Sequence, residues 1–308
     1  MGKGYGFGKV ILFGEHFVVH GIPGIACATS LSTEAVVKKS KAPGLTVIDN
    51  RKGTEGYTAS KKEQQKESLD FTMREMGIDS KKNPMEITLG GDLPVFSGIG
   101  ASAASAVAIA RAISDEFRMN LSDDRINEIA YEAEKAYAGN PSGIDNTAAT
   151  YGGLIWFLRG TPSKMERLKI RSPVEIVMGN SGVVADTKAV VTGVGERKSK
   201  NPEKYNRIFR QAEELVHKAR KAVDAYDLKA IGQLMNENHK LLQEIEVSGK
   251  ELDHLVNLAR QKGAWGAKLT GGGVGGCMVA LTPGKELQEK VASAMEREGF
   301  RVLRMNIG

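Results

Sequence analysis

Cysteine is scarce in this chain: Cys27 and Cys277 are its two thiols in 308 residues. Two cysteines cannot build a disulfide framework at this length, and they fit a reducing compartment such as the cytoplasm. No apolar run approaches the roughly 20 residues of a membrane span. The run Val10-Ile11-Leu12-Phe13 is too short for a signal-peptide core and ends in Gly14-Glu15-His16. A Walker A string, Gly-x-x-x-x-Gly-Lys-Ser/Thr, is missing, which excludes the common P-loop. There is no Gly-x-Ser-x-Gly nucleophile elbow; Gly179-Asn180-Ser181-Gly182 does not fit one. His16, His20, His217, His239 and His254 lack ligand-spaced partners, so no zinc site is expected. Basic residues are not clustered either. The formal charge is +6, but the densest stretch, residues 197–204, is interrupted by Asn201 and Pro202. No nucleic-acid signature results, whereas an anionic small substrate suits such a surface.

What remains is an ordinary globular composition, 41% hydrophobic and 26% charged. The length suits one large domain or two moderate ones, and we place a division near residue 170, giving 1–170 and 171–308. Mixed strand and helix signals without strict βαβ alternation favour an α+β architecture over a doubly wound parallel sheet. Short strands are expected at Val10–Phe13, Thr33–Ser40, Leu45–Asp49 and Met85–Leu89, then at 153–158, 173–178, 278–281 and 300–305. Helices are expected over 61–76, from Ala101 to about Phe117, and from a Ser122 cap to about Ala138. Pro202 at a helix start opens a periodic run to Ala225, and a second helix runs from Asp227 to about Ile245. Ser248 with Glu251 reads as a capping box for a third, and a last helix spans 286–298.

The most informative segment is Pro94-Val95-Phe96-Ser97-Gly98-Ile99-Gly100-Ala101-Ser102-Ala103-Ala104. Gly98 and Gly100 permit a tight turn and close backbone approach to a ligand. Small, helix-favouring residues follow, so the turn feeds a helix N-terminus. Free N–H groups and the positive dipole end attract phosphate there. A dinucleotide fingerprint fits loosely, but Pro94 and Gly90-Gly91 separate this loop from the preceding strand. A plain turn before a helix is the bland alternative. The run Gly271-Gly272-Gly273-Val274-Gly275-Gly276 favours the ligand reading, because so many glycines cost chain entropy unless backbone must lie against something.

A third string is Gly139-Asn140-Pro141-Ser142-Gly143-Ile144-Asp145-Asn146. Asp145 alone reads as a cap for a helix over 146–150. Glu134 alone reads as a solvated helix residue within reach of Lys135 or Arg125, and His16 alone as a satisfied hydrogen-bonding histidine.

Together these strings resemble the GHMP kinases over nearly the whole chain, and within them the archaeal-type mevalonate kinases. The carriers are Gly8-Lys9-Val10-Ile11-Leu12-Phe13-Gly14-Glu15-His16, the Pro94–Ala104 loop, the Asp145 loop and Lys268-Leu269-Thr270-Gly271-Gly272-Gly273. Galactokinases carry Gly-Glu-His-Thr-Asp-Tyr instead, and homoserine kinases lack the Asn-Pro-Ser-Gly-x-Asp loop. The resemblance implies a two-domain fold, an N-terminal ribosomal-protein-S5-domain-2-like part and a C-terminal ferredoxin-like α/β sandwich, with the active site in the cleft between them. It implies ATP and Mg²⁺, mevalonate as acceptor, isoprenoid biosynthesis, and no nucleic-acid or membrane partner; homodimers are common among similar enzymes. By position Asp145 matches the catalytic base and Lys9 the lysine beside it. Ser102 and Glu134 match the metal ligands. Pro94, Ser97, Gly98, Ile99, Gly100, Ala101, Ser102, Ala103, Ala104, Gly272 and Gly273 match the nucleotide-binding turns. Glu15, His16, Asp145 and Thr187 match the substrate pocket. Arg197 and Lys188 are candidates for the acceptor's carboxylate.

Three positions depart from the family pattern: Phe7 replaces a proline, Ala101 replaces the first of two serines, and Ala138 replaces a histidine. Phosphomevalonate kinase and a non-catalytic metabolite sensor of the same fold are the alternatives within the family, and a nucleotide-dependent dehydrogenase is the alternative outside it.

Overall fold

The computed structural model describes residues 1–53, 57–96 and 98–308, without the side chains of Tyr57 and Thr58. Ser97, expected at the phosphate turn, lies outside the described residues. Contacts divide the chain into two compact units that interleave along the sequence. One holds residues 1–9, 30–96 and 100–152; the other holds 10–29, 97–99 and 153–308.

The first unit begins with residues 2–9 of β1 (Gly2–Phe13) and takes in most of β2 (Gly24–Lys39). A 3₁₀ turn, Phe17–His20, lies between these strands and belongs to the second unit. There follow β3 (Leu45–Asp49), α1 (Tyr57–Ser60), α2 (Lys62–Glu75) and β4 (Met85–Gly91). Then come α3 (Ala101–Glu116), α4 (Asp123–Ala138) and α5 (Ile144–Tyr151). β4 pairs antiparallel with β2 and parallel with β3. The core sets Val37, Met85, Ile87 and Leu89 of the sheet against Leu69 and Met73 of α2, Val107 and Ile113 of α3, and Ile126 and Ile129 of α4. Each fully buried aliphatic side chain of this kind contributes about 1.5–3 kcal/mol.

β1 and α3 meet through backbone. A Cβ on Gly2, Gly4 or Gly6 would lie 2.2, 2.3 and 2.3 Å from the carbonyl oxygens of Ala112, Ala108 and Ala104. The periods match: two strand residues rise about 6.6 Å and four helix residues about 6 Å. Alternate glycines on the strand therefore run beside every fourth alanine of the helix. Further along the strand Lys9 passes Gly100, the N-cap of α3, where a Cβ would fall 2.6 Å from Lys9 Cγ.

The second unit contains β5 (Leu154–Leu158), β6 (Lys164–Leu168) and β7 (Val174–Asn180). Four helices follow: α6 (Thr187–Lys200), α7 (Pro202–Asp224), α8 (Leu228–Glu244) and α9 (Lys250–Gln261). β8 (Gly266–Thr270), β9 (Cys277–Leu281), α10 (Lys285–Arg297) and β10 (Arg301–Ile307) complete it. An antiparallel sheet runs in the order β10-β7-β9-β8. α8, α9 and α10 pack on this sheet. Helix side chains satisfy the open edge of β8. Asn236 accepts from Ala267 N at 3.0 Å, Arg260 donates to Ala267 O at 2.6 Å, and His239 Nδ1 accepts from Leu269 N at 3.4 Å. Partnered groups of this kind blunt an edge that would otherwise recruit another strand.

The α+β expectation holds, with local corrections. β1 starts at Gly2 and not at Val10, because its first residues are glycines that hide a strand pattern. β6 and α6 lacked a sequence signal: β6 is mostly charged, and α6 carries two glycines and three valines. Ser248 does not form a capping box with Glu251; its hydroxyl donates to Asp253 at 2.6 Å, and Gly249 is the N-cap of α9. Asp145 is not a cap either. Gly143, with φ 92°, is the N-cap of α5, and Asp145 lies in that helix's first turn. No helix among the described residues is long and apolar enough to cross a membrane.

Candidate active site

One strand, two helix starts and the late part of a third helix assemble the first unit's polar cluster. β1 delivers Lys9, α3 delivers Ser102, α4 delivers Glu134 and α5 delivers Asp145. Asn146 fixes α5 to α4 by donating to Asn127 Oδ1 at 2.7 Å and to Asn127 O at 3.2 Å.

Lys9 Nζ lies 3.1 Å from Asp145 Oδ2; the lysine side chain is 2% exposed and the carboxylate 32%. A buried ammonium whose carboxylate partner reaches the surface is unlike a solvated ion pair. It holds a charged acceptor ready where a ligand can meet it. The first N–H groups of α3 and α5 lack acceptors within their own helices, which favours negative charge at both places.

Glu134 is not solvated. It is 5% exposed, while Arg125 pairs with Glu128 and Glu75, and Lys135 pairs with Glu132. Ser102 Oγ donates to Glu134 Oε2 at 3.3 Å, and Oε1 is buried without a partner. Burial, then the nearby charge of Asp145, pushes the Glu134 carboxyl up to about 8; the Ser102 bond and Lys9 act in the opposite sense. A buried carboxylate with one idle oxygen beside a hydroxyl matches a hard divalent cation, which takes oxygen ligands. Among the described residues no three His, Cys, Asp or Glu side chains cluster around a common point. A metal here would therefore draw its other ligands from phosphate and water, as Mg²⁺ does in phosphoryl-transfer sites.

The remaining turn residues divide by burial. Ile99, Ala103 and Ala104 are fully buried, so backbone is what they can offer a ligand. Pro94 is half-buried beyond β4.

The second unit holds its own polar set. A Cβ on Gly98 (φ 97°) would sit 3.0 Å from Cys277 N and 3.2 Å from Thr270 O, and one on Gly271 would sit 2.9 Å from Gly98 Cα. The two glycine-rich turns thus touch backbone to backbone. Gly272 and Gly273 are similarly confined, by Thr187 Oγ1 at 2.5 Å and Val247 O at 2.2 Å from their built Cβ positions. Ile11 N donates to Thr270 Oγ1 at 3.0 Å, which ties β1 to β8.

His16 has φ 59° and is 6% exposed. Its Nε2 donates to Gly272 O at 3.1 Å, leaving Nδ1 as a buried acceptor without a partner. Burial, reinforced by the charges of His20, Arg197 and Lys268 against the Gly272 bond, pushes its pKa down to about 4, so the ring is neutral. Glu15 is 1% exposed and pairs with the equally buried Lys268, and it accepts from Asn238 Nδ2 at 3.2 Å. Lys268 also donates to Leu269 O at 2.6 Å and Ile11 O at 3.3 Å. Glu15 thus has an internal ionic partner in Lys268. Thr187 is half-buried at the start of α6, and Lys188 is exposed. Arg197 is committed to Tyr205 OH at 3.1 Å and Ile245 O at 2.9 Å.

One residue beside Ser102 had no sequence signal. Arg51, just beyond β3, reaches the first turns of α3 and lines a pocket with Ser102; an isolated arginine after a strand carries no motif.

The geometry agrees with what comparison finds. The family profile of the GHMP kinases N terminal domain matches residues 65–153, and that of the GHMP kinases C terminal domain matches 219–301. The mevalonate kinase of Pyrococcus furiosus is 37% identical over 94% of this chain and 91% of its own length. That of Thermococcus sibiricus is 34% identical over the same shares. The crystal structure of L. major mevalonate kinase in complex with R-mevalonate superposes with a TM-score of 0.92 at 37% identity, covering 100% of this chain and 96% of that one. Matched by both GHMP domain profiles and by mevalonate kinases along nearly their whole length, this chain belongs to the mevalonate kinase family of the GHMP kinases.

Proposed function

We propose that this chain transfers the terminal phosphoryl group of ATP to the primary hydroxyl of mevalonate, giving 5-phosphomevalonate and ADP. The observation that carries the reading is the Lys9–Asp145 pair beside Ser102 and Glu134. Phosphoryl transfer demands positioning and charge neutralisation more than covalent chemistry, and this cluster supplies both.

The acceptor's hydroxyl oxygen forms a bond to the terminal phosphorus as the bridging P–O bond to ADP breaks. Asp145 receives the hydroxyl proton, and its partly exposed carboxylate is placed to reach that group. Lys9, paired with Asp145 at 3.1 Å, stabilises negative charge developing on the attacking oxygen. Backbone N–H groups at the start of α3, behind Gly98 and Gly100, orient the phosphates. Mg²⁺, when bound by Ser102 and the idle Glu134 oxygen together with phosphate oxygens, supplies charge neutralisation. The second unit's own groups for a hydroxylated ligand are the neutral Nδ1 of His16 and the Thr187 hydroxyl.

The test is ADP release from purified protein with MgATP and, in separate reactions, mevalonate, phosphomevalonate and galactose, with products identified by mass spectrometry. Turnover confined to mevalonate is expected. No turnover with mevalonate, or faster turnover with phosphomevalonate, would refute this acceptor.

A further inference from the structure

Helix α3 begins Ala101-Ser102-Ala103-Ala104-Ser105, so apart from Ser102 its first five residues offer a single polar side chain by which the fold can grip them. That side chain, Ser105, is gripped. Arg51 Nη1 donates to Ser105 Oγ at 2.7 Å, and Ser105 Oγ in turn donates to Ala101 O at 2.7 Å. The guanidinium is itself immobilised. Its Nε and Nη2 bind Asp49 in bidentate fashion at 2.9 and 2.7 Å, and Nη1 also donates to Thr33 Oγ1 at 3.0 Å. Arg51 is 3% exposed and Asp49 12%. A planar fork held at four of its five N–H groups transmits position in a way a flexible ammonium cannot. The fork therefore links β3 and β2 to the first turn of α3. The other hydroxyl of that turn, Ser102, faces Glu134, and Arg51 and Ser102 line the same open pocket with Asp49, Lys61, Gln65 and Tyr137.

We propose that Arg51, with Asp49 behind it, is a positioning residue for phosphoryl transfer: through Ser105 it sets the first turn of α3, and with it Ser102, at the place where metal and phosphate bind. This rests on the kinase reading above. Arg51 does not touch the reacting atoms. Its effect passes along the chain Asp49–Arg51–Ser105–Ala101 O, so any break in that chain has the same consequence.

The decisive measurement is calorimetric titration of ADP into the full-length protein at a series of Mg²⁺ concentrations, for wild type, Arg51→Lys, Ser105→Ala and the double variant. Ser105→Ala removes one half-buried hydroxyl from an alanine-rich helix, so it keeps the question answerable if Arg51→Lys folds poorly. The Mg²⁺ concentration for half-maximal ADP affinity is expected to rise about five- to tenfold in each single variant, the scale of one lost intramolecular hydrogen bond. The double variant should be no worse than the weaker single, because both cut one chain. The KM for the acceptor should stay within twofold. An unchanged Mg²⁺ midpoint in folded Ser105→Ala, or multiplicative losses in the double variant, overturns the proposal, since a purely structural role lowers thermal stability alone. Wild type that fails to bind ADP in a Mg²⁺-dependent manner overturns it as well. Wild type that binds MgADP but does not phosphorylate mevalonate refutes the acceptor assignment and leaves this chain of contacts standing.

Discussion

Lys9 and Asp145 meet at 3.1 Å across 136 residues of sequence, the ammonium sealed beneath α3 and the carboxylate open to ligand. This asymmetry divides their roles, because the residue that is buried cannot leave and the residue that is exposed can react. Asp145→Asn preserves shape and removes the proton acceptor. Turnover should fall by about 10²–10⁴ while MgADP affinity stays within a few-fold. Steady-state kinetics beside calorimetric titration check this, and near-normal kcat would end the assignment.

Glu134 makes stability pH-dependent. Its carboxyl titrates near 8 in the folded protein against 4.5 for the ordinary group. Between these values the unfolded chain binds fewer protons than the native state, so unfolding free energy falls as pH rises. His16 and His239 are shifted the other way, to about 4, and are silent above pH 6.5. Melting temperature should therefore decline from pH 6.5 to 8.5 in part through Glu134, and Glu134→Gln should flatten that part of the decline. At pH 8.5 the variant should gain at least about 1 kcal/mol, the worth of a single pKa unit, and lose Mg²⁺-dependent ADP binding. A variant as pH-sensitive as wild type in its thermal unfolding would contradict this.

Gly100→Ala should damage the site through Lys9. The added Cβ would fall 2.6 Å from Lys9 Cγ, at a backbone φ of 75° that alanine tolerates poorly. A loss of about 1–3 kcal/mol of stability is expected, with a fall in kcat larger than the change in nucleotide affinity. Denaturant unfolding and kinetics on the same preparation separate the two effects.

The Glu15–Lys268 pair predicts a different pattern. Glu15→Gln removes the charge that faces a fully buried ammonium and should cost about 3–5 kcal/mol. The double variant Glu15→Gln/Lys268→Met should recover much of that loss. If Glu15 instead contacts substrate directly, the single variant would melt like wild type with a raised acceptor KM, and Lys268→Met would rescue nothing.

Much of the fold was legible in local pattern. α3, α4 and β3 were bounded closely, because a Ser122 cap, a glycine N-cap and a β-branched run are local signals. β6 escaped because its charged residues hide any alternation, and α6 because its glycines and valines depress helix propensity. At the site, Lys9, Ser102, Glu134 and Asp145 were nameable only through their motif neighbours. As single residues, Glu134 read as solvated and Asp145 as a cap, and both readings failed on burial and backbone conformation. Arg51 was invisible, since its partners Thr33 and Ser105 lie 18 and 54 residues away.

Most strands and helices, the glycine turns and the family were set by sequence alone, because propensity, capping and motif spacing act over a few residues. Which carboxylate is left with an idle buried oxygen, which lysine is sealed against which aspartate, and which arginine grips α3 were decided only by tertiary structure. Burial and ion pairing depend on distances between segments remote in the chain, and desolvation, the largest influence on Glu134, does not exist until those segments pack.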